Sequence, residues 1–178
     1  SPLAILDRFG ADPVRYWASS GTLGTDIAYD EGEIESVGKL VTKLWNSSRF
    51  AAGFLEGFVP GAEEPALEPV DRWALGRFNQ VIANFHKSFA RYEFFPARND
   101  LERFFWGTFC DNYLELVKHR LWDESPEGAA SREAAQWTLH RLLQGQLQLF
   151  APYLVHITEE IYQTLFRSDA GPVSIHLS

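Results

Sequence analysis

Hydrophobic residues recur every three or four positions along four long stretches of this chain, and that period commits most of it to amphipathic helices. Ile34, Val37, Val41, Leu44, Ala51 and Leu55 keep the spacing in a stretch that starts near Asp30 and runs to about Gly57. From Val70 to about Tyr92 the stripe is Phe78, Val81, Ile82, Phe85 and Phe89. Phe95-Pro96 opens a run to Trp122 through Leu101, Phe104, Phe105, Phe109, Tyr113, Leu116 and Val117. Ser131 opens another, carrying Trp137, Leu142, Leu143 and Leu147; Pro152 is expected to bend or break it before ITEEIYQTLF continues as a further helix. Long amphipathic segments with short connectors predict an all-α fold, an up-and-down bundle of four to five long helices.

Punctuation sets the boundaries. Ser1 caps a short helix with Pro2 at its first position, and Gly10 ends it. Asp12-Pro13 repeats the signal for a second segment that stops at Gly21, and residues 22–31 have no period and read as a loop. Asp30 with Glu33 makes a capping-box-like start for the first long helix. FVPGAEEPALEP (58–69) is an acidic connector and DESPEG (123–128) a turn. The expected organisation is a small helical module over 1–30, a bundle over 31–170, and a tail or short strand over 171–178.

Composition limits the chemistry. No apolar run approaches the roughly 18 residues a membrane helix needs, and a basic-then-apolar leader is missing, so a cytoplasmic address is expected. Cys110 is the lone cysteine, which excludes an internal disulfide and reads as a small buried hydrophobe beside Phe109. The five histidines are scattered without metal-ligand spacing, and Glu159-Glu160 point in different directions as helix neighbours. Gly-rich phosphate loops, nucleophile elbows and His-Glu-x-x-His pairs are absent, so no catalytic residue and no metal or cofactor site is predicted. The chain opens Ser1-Pro2 and holds no Met, from which an excised piece of a longer protein is expected.

One helix face stands out. At about 100° per residue, Lys39, Lys43, Asn46 and Phe50 fall together opposite the apolar set, with Arg49 at the edge. Two ammonium groups, an amide and a ring suit unpaired nucleotides: cations hold phosphates, the amide reads a base edge, the ring stacks. A solvated or packed face fits the same spacing, and the residues alone leave both readings open. Arg72-Trp73, after the acidic connector, is a second candidate, with a core role as its alternative. Lys118, His119 and Arg120 cluster near a helix C-terminus, where the helix dipole alone accounts for them. A net charge of −8 opposes RNA binding unless the acids sit elsewhere. They do cluster: Glu56, Glu63, Glu64, Glu68 and Asp71 crowd the connector, and Asp123, Glu124 and Glu127 the later turn.

Several strings resemble, in order, those of class I aminoacyl-tRNA synthetases. DRFGADPVRYWASSGTLGTDIAYDE (7–31) is similar to the segment following the KMSKS signature in the Val/Ile/Leu group. KLWNSSRF (43–50) resembles the valyl Lys-Leu-Trp-Asn-x-x-Arg-Phe stretch, and DRWALGRFN (71–79) the family's next helix start. WGTFCDNYLELVKHRLW (106–122) and FAPYLVHITEEIYQ (150–163) resemble two later valyl helices. Pro13 departs from a common alanine, and LVHI is looser than the usual pattern.

The resemblance to valyl-tRNA synthetases implies an anticodon-binding bundle preceded by the stem-contact module that follows the catalytic domain. It implies tRNA and the rest of a synthetase chain as partners, in a monomer. ATP with Mg belongs to the whole enzyme, whose HIGH and KMSKS motifs are not in this chain. Together with the polar face of the first long helix, it points to Lys39, Lys43, Asn46, Arg49, Phe50, Arg72 and Trp73 as the tRNA-binding residues. The alternatives are the same domain of an isoleucyl or leucyl relative, or a helical protein-interaction scaffold with no RNA role.

Overall fold

The computed structural model describes residues 2–61, 63–168 and 171–178. Its helices are α1 Pro2–Phe9, α2 Ala11–Ala18, α3 Glu31–Leu55, α4 Pro69–Phe89 and α5 Phe94–Arg103. A π-helical stretch, Phe104–Tyr113, runs on from α5 into α6, Leu114–Leu121; then come α7, Ala129–Phe150, and α8, Val155–Leu165. The described residues form an all-α bundle with no strand. The proposed cap of α1, Ser1, lies outside them.

Local signals account for most ends. The Asp30 carboxylate accepts the backbone N–H groups of Gly32 and Glu33, capping α3, and Gly57 turns the chain away with φ at 71°. Pro152 separates α7 from α8, since its ring cannot continue the ladder. The tail differs from the short strand considered for it. Ser174 caps a single 3-10 turn, Ile175–Leu177, and Ile175 drops into the core. With no neighbouring strand to pair with, the weak alternation has nothing to stabilise it.

Helix α7 is central and packs against α3, α4, α5, α6 and α8. Accordingly it is apolar on several sides, burying Leu139, Leu142, Leu143, Leu147 and Phe150 among others. Gly145 lets α4 approach: a Cβ there would stand 2.6 Å from the Phe78 ring. The stretch from Phe94 to Leu121 departs from a plain 3.6 period. Phe105, Phe109, Tyr113, Val117 and Leu121 are all buried, a strict repeat of four. Four α-helical residues overshoot one turn by about 40°, so an α-helix would carry this series off its face. A helix with i→i+5 bonds turns less per residue and cancels the drift. The Asn112 amide supports it by donating to the Gly107 carbonyl, five residues back, at 2.5 Å. The same change of phase turns Leu116, expected inward, out to solvent.

The first helices share this core. Tyr16 of α2 is buried in it and donates to Glu102 at 2.6 Å. Asp12 does not cap its own helix, which starts from Gly10. Its buried carboxylate accepts the backbone N–H groups of His156 and Ile157 at 3.0 and 2.8 Å, and so caps α8, 144 residues away. Ser131 likewise opens no helix; α7 begins at Ala129, and Ser131 serves a buried ion pair instead.

That ion pair is the polar centre of the bundle. Asp71 and Arg120 are both buried and meet fork to fork, at 3.0 and 2.8 Å. Tyr113 donates to Asp71 at 3.0 Å, and the Glu68 backbone N–H to its other oxygen at 3.0 Å. The Ser131 hydroxyl accepts a hydrogen bond from Arg120 Nε at 2.9 Å, and its carbonyl accepts one from Nη2 at 2.8 Å. Burial, then the Asp71 charge, raises the Tyr113 pKa, which keeps the phenol a donor. Two residues read as connector acid and dipole complement are thus one interior link between α4 and α6.

Candidate nucleic-acid interface

The α3 stripe does not open onto plain solvent. It forms one wall of a groove whose other wall is the π stretch and α6. At one end the groove encloses about 200 Å³ lined by Lys43, Asn46, Phe50, Cys110, Glu115 and Lys118. Beyond Phe50 it widens into about 540 Å³ bounded by Phe54, Leu121 and Trp122, among others. Phe50 borders both parts.

Phe50 is half-buried, neither sealed in the core nor free. One edge packs on Phe54, with centroids 5.0 Å apart, while the Lys118 ammonium stands 5.5 Å from its centroid. Lys43 lies 5.8 Å from the Trp106 ring, so its stem covers apolar surface and its charge stays at the groove. Asn46 is exposed between them. Lys118 shares its charge with Glu115 at 2.6 Å, an exposed pair that opens at little cost. Two ammonium groups therefore flank a ring and an amide, the combination that single-stranded RNA takes up.

Of the other expected residues, Lys39 is exposed one turn before Lys43. Arg49 is exposed about 100° round the helix from Phe50 and borders neither part of the groove. Arg72 and Trp73 lie on α4, which packs against α5, the π stretch and α7. Arg72 donates to the Leu67 carbonyl and borders a separate groove with Trp137 and Arg141. Trp73 is 42% exposed. The structure gathers Lys43, Asn46 and Phe50, and leaves Arg72 and Trp73 apart from them.

Lys118 and Trp122 also border the groove, and Trp106 supports Lys43 from outside it. Lys118 was visible only as part of a basic helix end. Its position opposite Phe50 depends on the π stretch, which periodicity of 3.6 does not show. The acids are not all remote either: Glu115 lines the narrow end, and Glu56 and Glu124 the wide one.

Cys110 forms part of the floor, nearly buried, and burial pushes its thiol up to about 11. At neutral pH its thiolate fraction is roughly a few hundred times below that of an ordinary thiol near 8.5. Maleimide labelling at pH 7 is expected to run at least ~100-fold slower than for a free thiol, and to reach the free rate only on unfolding. Rapid labelling of the folded chain would show an open floor.

Comparison with known proteins places the fold and the family. The fold is that of a tRNA synthetase helical domain: the apo form of Mycobacterium tuberculosis methionyl-tRNA synthetase superposes with a TM-score of 0.78 at 16% identity, over 98% of this chain and 38% of that one. The chain belongs to the family described as "Anticodon-binding domain of tRNA ligase", which matches residues 71–178. It is 44% identical over 166 residues to the valine–tRNA ligase of Anaplasma marginale (strain St. Maries), covering 93% of this chain and 20% of that protein. To the valine–tRNA ligase of Haloarcula marismortui it is 41% identical over 175 residues, covering 98% and 18%. The chain thus spans about a fifth of the length of these relatives. Among the described residues, no helix is long and apolar enough to cross a membrane, and no group of three or more His, Cys, Asp or Glu could hold a metal ion.

Proposed function

We propose that this chain is the anticodon-binding domain of a valine–tRNA ligase, and that the α3 groove holds the unpaired anticodon loop of its tRNA. The observation that carries this is Phe50, part-open in a groove flanked by the Lys43 and Lys118 ammonium groups. Lys43 and Lys118 take phosphates, Phe50 stacks on a base, and Asn46 offers donor and acceptor to a base edge. Lys39 and Arg49 lie on the same helix and meet the strand where it enters and leaves. Arg72 and Trp73, on α4, reach the tRNA only away from the groove. Residues 1–30 are the module that contacts the tRNA stem, and 31–170 the bundle proper. Joining valine to tRNA, with ATP and Mg, belongs to the remainder of the ligase, which acts as a monomer in the cytoplasm.

The test is an anisotropy titration with the valine anticodon stem-loop against a non-cognate one. Phe50→Ala is expected to weaken cognate binding by roughly 5- to 150-fold, since one base–aromatic stack is worth about 1–3 kcal/mol. Lys43→Ala with Arg49→Ala is expected to cost several-fold more at low salt than at high, and to reduce the salt slope by about one for each phosphate no longer neutralised. Unchanged affinity and unchanged slope in both variants would exclude the groove as the RNA site.

A further inference from the structure

The groove does not end at Phe50. Its wider part is walled by Phe54 and Trp122, whose rings meet edge to face at 4.8 Å with planes 85° apart. Trp122 is 68% exposed, a large apolar ring left open to water at the end of α6. Phe54 is itself fixed: it packs on Phe50, and its carbonyl accepts the Gln136 amide at 2.6 Å. Phe50, Phe54 and Trp122 thus form one continuous aromatic line running away from Lys43 and Lys118.

Charge changes along that line. The near end carries the two ammonium groups against one carboxylate, Glu115, paired with Lys118; the far end carries the Glu56 and Glu124 carboxylates. The far end also holds Arg132, which donates through Nη1 to the Asp123 carbonyl and keeps its charge, so two carboxylates outnumber one cation there. The lining is therefore net positive at the near end and net negative at the far one, which favours phosphate at the near end. A nucleobase carries no such charge, and a carboxylate accepts from an exocyclic amine.

We propose that Trp122 and Phe54 form a second base-stacking subsite, which takes the next unpaired nucleotide of the strand whose first base stacks on Phe50. Glu56 and Glu124 make it selective for a base with an exocyclic amine (adenine, cytosine or guanine) over uracil, whose exocyclic groups are both carbonyls. This rests on the groove being the RNA site. It adds the number of bases held and the chemistry of the second.

Binding of labelled octacytidylate and octauridylate to the chain separates the parts, because the two bases are alike in size and differ at that amine. The chain is expected to prefer octacytidylate by about 5-fold or more. Trp122→Ala is expected to weaken octacytidylate binding by roughly 5- to 150-fold, and Trp122→Phe, which keeps a ring, by much less. Glu56→Gln with Glu124→Gln is expected to reduce the cytosine preference at least ~3-fold. Trp122, Glu56 and Glu124 are exposed and Phe50 is half-buried, and an unaltered thermal midpoint confirms that each variant is folded. If Phe50→Ala weakens binding while Trp122→Ala does not, the second subsite is wrong and the RNA groove stands. If neither variant weakens it, both readings fall. Equal binding of the two oligonucleotides overturns the amine selectivity alone.

Discussion

Replacing Asp71 by Ala is expected to destabilise the chain by about 3–5 kcal/mol, the range typical of removing one member of a buried ion pair. The cost is not mainly the lost attraction. Arg120 remains buried, and its guanidinium loses both Asp71 oxygens, at 3.0 and 2.8 Å, while the Tyr113 hydroxyl and the Glu68 backbone N–H lose their acceptors. Glu68 at 3.3 Å and Ser131 compensate only part of the charge, since Glu68 is half-exposed. For a chain of this size, such a loss lowers the thermal midpoint by roughly 10 °C or more. Asp71→Leu combined with Arg120→Met removes both charges and is expected to cost less than Asp71→Ala alone. The remaining cost reflects hydroxyl and backbone groups left unpaired. Additive costs in that cycle, measured by denaturant unfolding, would mean that the two side chains are not coupled.

Asp71 also shows where the sequence was legible and where it was not. The helices were plain, because their apolar spacing is local and strong; the cap at Asp30 and the break at Pro152 are local too. An acid at the third position of α4 has an equally good local explanation in the helix dipole, so nothing in its neighbourhood points to Arg120, 49 residues on. Asp12 misled in the same way. It stands where an N-cap is expected and satisfies the amides of a different helix. Local pattern identifies the residue type that helix ends require, but only tertiary packing decides which end it serves.

The groove was half legible for a related reason. Lys43, Asn46 and Phe50 share one helix, so their common face follows from about 100° per residue. Lys118 and Trp122 belong to another helix, and their facing the same groove depends on the accumulated phase from Phe94 onward. The π stretch resets that phase. Its trace in the sequence is the unbroken four-residue repeat from Phe105 to Leu121, longer than an α-helix can hold on one face. Arg72 and Trp73 failed to join the groove because they were placed by adjacency to a connector rather than by any shared helix face.

Arg98→Ala is expected to cost about 3 kcal/mol and to release α1 and α2 before the rest of the bundle. Arg98 is buried at the junction of α2 and α5, and its guanidinium lies 4.1 Å from the Tyr16 ring centroid and 5.2 Å from that of Phe95. It donates to the Tyr16 carbonyl, to the Ser19 hydroxyl at 3.2 Å and to the Ser20 hydroxyl at 3.1 Å. Hydrogen bonds from a charged donor contribute about 1.5–3 kcal/mol each and a desolvated cation–π contact about 2. Against these stands the desolvation of a guanidinium whose Nε finds no acceptor, which holds the net near ~3 kcal/mol. The loss is local because Arg98 closes the C-terminal end of α2, whereas Asp12 and Arg15 fasten that helix to α8 and the Pro152 carbonyl. Amide exchange is the discriminating measurement. In Arg98→Ala the amides of residues 11–20 should exchange faster than those of α7, whereas Asp12→Ala should first expose the amides of His156 and Ile157. Equal acceleration throughout the bundle in both variants would show that α2 unfolds only with the whole and forms no separate unit.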